Sequence, residues 1–318
     1  MALNLHDEVR KNQIKSFIVI GMFVIFVGVI GAAAGAVFGG YTTGELFSPH
    51  HLIFGLIMAV LVAGLYIAIF MARGANMILS TAGAQEATRK NYPHLYHTTE
   101  AVAIAAGLGS TVPKIYVIQD PAPNAFATGF SPEKSYIAVT TGLLEKLNRQ
   151  ELEGVIAHEM AHIKNRDIKV MLLAAGLVGA TVLLADILFR MFLFGGSGGG
   201  QRDGRVMAFV FVFWLVLIIV SPIVGEMIRL AISRKREYLA DASGALYTRY
   251  PEGLASALEK ISQDSNQLRR ANKATAHLFI SSPFKKKGKK ASLMQRLFST
   301  HPPIEDRIAR LRGTRKPA

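Results

Sequence analysis

The chain has 318 residues, 51% of them hydrophobic, a mean hydropathy of +0.31 and a formal net charge of +14. It is too apolar for an ordinary soluble protein and long enough for one folded core besides membrane segments. The absence of cysteine excludes disulfides, thiolate metal ligation and a cysteine nucleophile. The basic balance raises nucleic acid as a partner, but no nucleic-acid motif accompanies it. Its densest piece, Lys285-Lys286-Lys287-Gly288-Lys289-Lys290, reads as a solvated loop near anionic lipid headgroups.

Phe17 to Phe38 and Leu52 to Ala72 carry no charged residue, and each is long enough as a helix to cross a hydrocarbon core of ~30 Å. Val170 to Phe189 and Val206 to Gly225 are less clean, since Asp186 interrupts one and Glu226 closes the other. The Gly-rich stretch from Gly195 to Gly204 joins them as a helical hairpin. Asp186 has Arg190 one turn later and reads as a paired acid near the end of its span. Arg10, Lys11 and Lys15 precede the first span, and Arg73, Arg89 and Lys90 follow the second. The connection from Gly40 to His51 has no Lys or Arg, so the termini and the region after residue 73 are expected in the cytoplasm. The reading is of four spans, with residues 168–225 inserted into a cytoplasmic domain.

After the second span, Ala75 to Lys90 and Tyr92 to Leu108 show helical spacing. Lys114 to Ile118 and Tyr136 to Thr140 are short β-branched and aromatic runs, hence strands. Asn124 to Gly129 falls between them as a loop or edge strand, and Leu143 to Asn148 begins helical structure. Then comes Val155-Ile156-Ala157-His158-Glu159-Met160-Ala161-His162. At 3.6 residues per turn His158 and His162 project from one face, able to share a tetrahedral metal, with Glu159 beside them to polarise a bound water. The helix is expected to run on, or nearly so, into the third apolar block, which would set the metal close to the membrane surface. Downstream, Arg236-Glu237-Tyr238-Leu239-Ala240-Asp241 offers Glu237 as a third ligand. Two His and one Glu leave a position open for water, the set of a catalytic zinc site. Asp241 could accept a hydrogen bond from the far nitrogen of a ligand histidine. Ile304 to Leu311 reads as a last helix after Thr300-His301-Pro302-Pro303.

Four strings carry a resemblance: His158 to Asp167, Arg236 to Asp241, Asn124 to Gly129, and Thr300 to Arg307. In this order they resemble the HtpX family, membrane-bound zinc endopeptidases of the gluzincin type, related to the CAAX prenyl endopeptidases. The likeness runs from about residue 17 to about residue 312. It implies an α+β, mainly helical integral membrane protein: an HExxH zincin catalytic domain with a small β-sheet and four transmembrane helices. The expected parts are 1–73, a transmembrane helix pair; 74–167, the first catalytic part; 168–225, a transmembrane hairpin; and 226–318, the second catalytic part with the third ligand.

The same resemblance implies one Zn2+ held by His158, His162 and Glu237, with Glu159 as general base. It places His301 and Arg307 at the active site, helping to hold an oxyanion. It makes Asn124, Ala125, Phe126 and Ala127 a substrate-binding edge strand. The partners expected are the lipid bilayer and unfolded or misfolded membrane and cytoplasmic proteins, in quality control and stress response at the bacterial inner membrane. Prenyl-protein processing is disfavoured, since those relatives use more spans. A membrane scaffold or adaptor with a non-catalytic zinc remains the alternative, against which an intact Glu159 argues. Asn165 and Asp167 match the family string but are assigned no chemistry. His50 and His51 are expected on the opposite side of the membrane from this metal, and His94, His97 and His277 lack a partner at ligand spacing.

Overall fold

The structure is a computed structural model that describes residues 5–43, 48–177, 179–180, 234–270, 275–283 and 302–313. His301, the Lys285–Lys290 run, Asp186 and most of the 168–225 insertion lie outside the described residues. The chain divides into two compact units. One comprises residues 15–72 and 176–230, the other residues 1–14, 73–175 and 231–318.

In the first unit, helices α1 (Leu5–Thr43) and α2 (Pro49–Thr81) carry the two leading apolar blocks. Both are long and apolar enough to cross a membrane, over Ile14–Ala36 and Pro49–Thr81. They touch along small residues. A Cβ added at Gly31 would lie 2.2 Å from Ala59 Cβ, and one at Gly55 would lie 2.2 Å from Gly31 O. Backbones this close need hydrogen for a side chain, the packing device of helices in lipid. Phe54, Leu61 and Leu65 of α2 are 60–63% exposed, as expected of a surface that faces acyl chains.

The second unit holds a four-stranded sheet in the order β1-β2-β4-β3, formed by β1 (Ala84–Glu86), β2 (Lys114–Ile118), β3 (Ala125–Ser131) and β4 (Lys134–Thr140). β2 and β4 are parallel; the other pairings are antiparallel. The strands read from β-branched runs are present, and Asn124 to Gly129 resolves into the edge strand β3. The helical reading of Ala75 to Lys90 is corrected. α2 continues only to Thr81, Gly83 turns the chain at φ +69°, and β1 follows.

Helix α3 (Pro93–Ala105) lies between β1 and β2 in the chain, and α4 (Thr141–Lys146) and α5 (Arg149–Lys164) follow β4. α5 carries the two spaced histidines at the centre of the unit, packed against β3, α3, α6 (Arg234–Thr248) and α7 (Pro251–Gln263). Val155, Ile156, Met160 and Ile163 of α5 share one core with Ile137, Val139, Leu254 and Leu258. Its start is fixed by a capping box: Asn148 Oδ1 accepts from Glu151 N at 3.0 Å, and Glu151 Oε2 accepts from Asn148 N at 2.8 Å. Buried Glu151 is held further by Lys260 Nζ at 2.8 Å and Ser256 Oγ at 2.6 Å, both from α7. A final helix, α8, spans Ile304–Leu311 as the sequence suggests.

The expected continuity of α5 into the next apolar block is interrupted. Asn165 and Arg166 form a turn, with Arg166 at φ +57°, and a new helical segment begins at residue 167. Left-handed backbone at an arginine is costly, and here it lets Asp167 fold back toward α5.

Candidate metal centre

His158 and His162, one turn apart on α5, face Glu237 from the first turn of α6. His158 Nε2 and His162 Nε2 are 3.2 Å apart. Glu237 Oε1 is 3.5 Å from His162 Nε2, and Glu237 Oε2 is 3.9 Å from His158 Nε2. One ligand atom from each residue falls within 4.8 Å of the others. The imidazole planes stand at 89° with centroids 4.8 Å apart, so two nitrogens and a carboxylate converge from different directions. Approach of α6 to α5 depends on Gly244, where a Cβ would come within 3.0 Å of His158 N.

Each imidazole is held from behind by a carboxylate. His158 Nδ1 is 3.0 Å from Asp241 Oδ1, and His162 Nδ1 is 3.1 Å from Asp167 Oδ2. An Nδ1–H donated to a carboxylate fixes the tautomer that leaves Nε2 free to ligate. Asp241 was singled out in the sequence by its spacing from Glu237. Asp167 was not, because helical periodicity carries no signal for a residue that reaches back across a turn.

Arg307, fully buried on α8, closes the second layer. Its Nε and Nη2 donate to Asp241 Oδ2 and Oδ1 at 2.9 and 2.7 Å, and its Nη1 donates to Ile280 O at 3.1 Å. Nη2 also lies 3.4 and 3.5 Å from the two ring nitrogens of His158. The sequence expectation was an oxyanion donor. As placed, Arg307 donates to Asp241 and Ile280 and also lies 3.7 Å from Glu237 Oε2 through Nη1, since a guanidinium out of water requires a carboxylate at hand.

Burial sets the direction for His158 and Glu159, and neighbouring charges set it for His162 and Asp241. Burial pulls His158 down to about 4, an effect to which the Arg307 charge adds and which the Asp241 hydrogen bond opposes. It also pushes Glu159 up to about 7, with His162 and the Ala127 backbone amide pulling the other way and Glu237 adding to the rise. His162 goes against its burial: the Asp167 and Glu237 carboxylates raise it well above its ordinary value. Asp241 is likewise held low despite burial, chiefly by Arg307. Proton and metal compete for the same His162 nitrogen.

Glu159 Oε1 is buried and has no hydrogen-bond partner. A carboxylate oxygen orphaned beside three convergent ligand atoms fits a site made for a cation and a water. The expected substrate edge is also brought in, since β3 packs against α5. Its first residues, however, pair within the chain: Ile280 N donates to Ala125 O at 2.9 Å, and Asn124 Nδ2 donates to Ser281 O at 2.9 Å.

The model of peptidase family M48 matches residues 89–315. The chain is 40% identical over 316 residues to a protein named Protease HtpX homolog from Listeria monocytogenes serotype 4a (strain HCC23), covering 96% of this chain and 99% of that one. It is 42% identical over 308 residues to the homolog from Dictyoglomus turgidum, at 96% and 94% coverage. With the homolog from Tropheryma whipplei it shares 40% over 308 residues, at 97% and 98% coverage. With three converging potential ligands and relatives of matching length, the chain belongs to the HtpX proteases of peptidase family M48, membrane metalloproteases that act on peptide or protein substrates.

Proposed function

We propose that the chain is a zinc-dependent endopeptidase in which His158, His162 and Glu237 hold the ion and Glu159 is the general base. The observation that carries it is the orphaned Glu159 Oε1 next to three convergent ligand atoms. A zinc ion bound there supplies Lewis-acid polarisation of a water and of the scissile carbonyl. Glu159 takes a proton from the water as its oxygen bonds to the carbonyl carbon. It returns that proton to the amide nitrogen as the C–N bond breaks. Asp241 and Asp167 keep His158 and His162 in the ligating tautomer, and Arg307 keeps Asp241 in place. Burial excludes bulk water from the step, so the proton passes only through Glu159.

The division of the chain at 73, 167 and 225, with a second apolar hairpin making four spans, remains part of this reading, as does a cytoplasmic catalytic domain. Both rest on hydropathy and on the Lys and Arg flanking the first two spans. Unfolded or misfolded membrane and cytoplasmic proteins are the proposed substrates, in quality control at the cell membrane. His301 remains a proposed active-site residue by its place in the Thr300 to Arg307 string.

The test compares detergent-purified wild type with Glu159→Gln for zinc content and for cleavage of an unfolded casein-like protein. The expected result is about one zinc in each, activity lowered by ~10²–10⁴ in the variant, and loss of wild-type activity with chelator. Equal zinc with no cleavage by either protein would sink the peptidase mechanism in favour of a scaffold. Absence of zinc from both would sink the ligand assignment.

A further inference from the structure

Beside Arg307, a second arginine is buried at the metal centre. Arg236 is 5% exposed, and its Nε stands 3.7 Å from Asp167 Oδ1. The other oxygen of that carboxylate, Oδ2, stands 3.1 Å from His162 Nδ1. Arg236 also immediately precedes Glu237 on α6, and Glu237 Oε1 is 3.5 Å from His162 Nε2. One short circuit therefore holds the His162 ring from both sides: Asp167 behind it, Arg236 against Asp167, and Glu237, joined to Arg236 through the chain, in front. A guanidinium in this place is costly on two counts. It must leave water, and its charge repels the divalent ion on which the ligands converge.

Position in the chain gives the contact a use that offsets these costs. Asp167 stands where the chain departs for its two later apolar blocks, and Arg236 stands where it has come back. Closing so long an excursion costs chain entropy, which a contact at its base helps to offset. The contact also fixes α6 near a ligand. At one end of the helix a Cβ on Gly244 would lie 3.0 Å from His158 N, so the backbones meet there. At the other end Arg236 meets Asp167, and Glu237 and Asp241 lie between the two points.

We propose that Arg236 is a positioning residue of the metal centre: its hold on Asp167 clasps the two ends of the apolar insertion together and sets His162 and Glu237 to ligate one ion. The inference rests on the zinc reading above. Arg236 acts through Asp167, which aims the His162 ring, and through the backbone of α6, which carries Glu237. An arginine that only balanced the buried acids Glu159, Glu237, Asp167 and Asp241 would act with the opposite sign. Removing a balancing charge relieves repulsion and tightens zinc binding, whereas removing a clasp lets the ligands drift and loosens it.

Zinc affinity is measured by competition with a chromogenic chelator on the detergent-purified full chain, for wild type, Arg236→Met, Asp167→Ala and the double variant. The clasp predicts that Arg236→Met weakens zinc about tenfold when Asp167 is present. Where Asp167 is already alanine, the same change should cost less than about threefold, because coupled partners do not add. Arg236→Lys keeps the charge and should fall between Arg236→Met and wild type. Equal losses in the two backgrounds overturn the proposal, as does zinc binding by Arg236→Met as tight as wild type or tighter. Should Arg236→Met fail to fold, Arg236→Lys takes its place in both backgrounds, and a loss independent of Asp167 overturns the clasp. If wild type itself holds no zinc, the ligand assignment falls, and thermal unfolding of the four proteins decides the clasp. Additive shifts in midpoint overturn it, and a smaller shift for Arg236→Met beside Asp167→Ala sustains it.

Discussion

Asp167 offers a sharp test of how the centre is held, because it belongs to the His158 to Asp167 string yet helical spacing gives it no role. Its side chain is 1% exposed, Oδ2 stands 3.1 Å from His162 Nδ1, and Oδ1 stands 3.7 Å from Arg236 Nε. A hydrogen bond to a charged group contributes about 1.5–3 kcal/mol. Removing the carboxylate behind a ligand histidine costs about 10–100-fold in metal affinity. Asp167→Ala takes away the acceptor, strands the Nδ1–H in a dry site and leaves the Arg236 charge unopposed by Asp167. It should sit near the 100-fold end. Asp167→Asn keeps an oxygen acceptor and loses only the charge, so it should sit near tenfold or below. The assay is competition for zinc with a chromogenic chelator in detergent at fixed pH and ionic strength. Alanine binding within threefold of wild type, or asparagine weaker than alanine, would refute the idea that Asp167 orients and charges His162.

Arg307→Ala leaves Asp241 buried without its cation, and thermal unfolding should show a loss of about 3–5 kcal/mol; Arg307→Lys, lacking the two-point fork, should recover only part of it. Burial would raise the Glu151 pKa, but the hydrogen bonds from Lys260, Ser256 and the Asn148 amide outweigh it and lower it below 4.5. Its stabilisation is therefore fully present above that value and is lost as pH falls through the lower folded value. Glu151→Gln should cost about 1 kcal/mol at neutral pH, and the gap to wild type should close in acid unfolding series below pH ~4. At Gly154 a Cβ would meet Leu254 N at 2.6 Å. Gly154→Ala should push α7 from α5 and cost about 1–3 kcal/mol in thermal unfolding, whereas an unchanged midpoint would mean that the contact yields freely.

What the sequence makes readable follows from where the information lies. His158, Glu159 and His162 belong to one helix, and Glu237 and Asp241 to another, so periodicity alone puts each set on a face. Asp167 escapes because the left-handed Arg166 breaks the period. β1 escapes because three residues carry no alternation to read. The pairing of Phe126 with Phe279 joins segments far apart in the chain, and no local pattern announces it. Arg307 is legible as a motif member but not in its partner, since only the packed structure shows that its fork closes on Asp241.

The clamp by Arg307 also has a consequence in time. During synthesis the histidine pair on α5 is complete long before Arg307 exists, and at ~5–20 residues per second the interval is on the order of ten seconds. From the time each is made until Arg307 follows, Asp241 lacks its cation and Ile280 lacks the donor that fastens it. A ribosome halted between Glu237 and Arg307 therefore releases a chain with every ligand encoded and the centre unfinished. A hydrolase born beside its own nascent neighbours gains from such an ordering: the element that arms it is made after all three ligands.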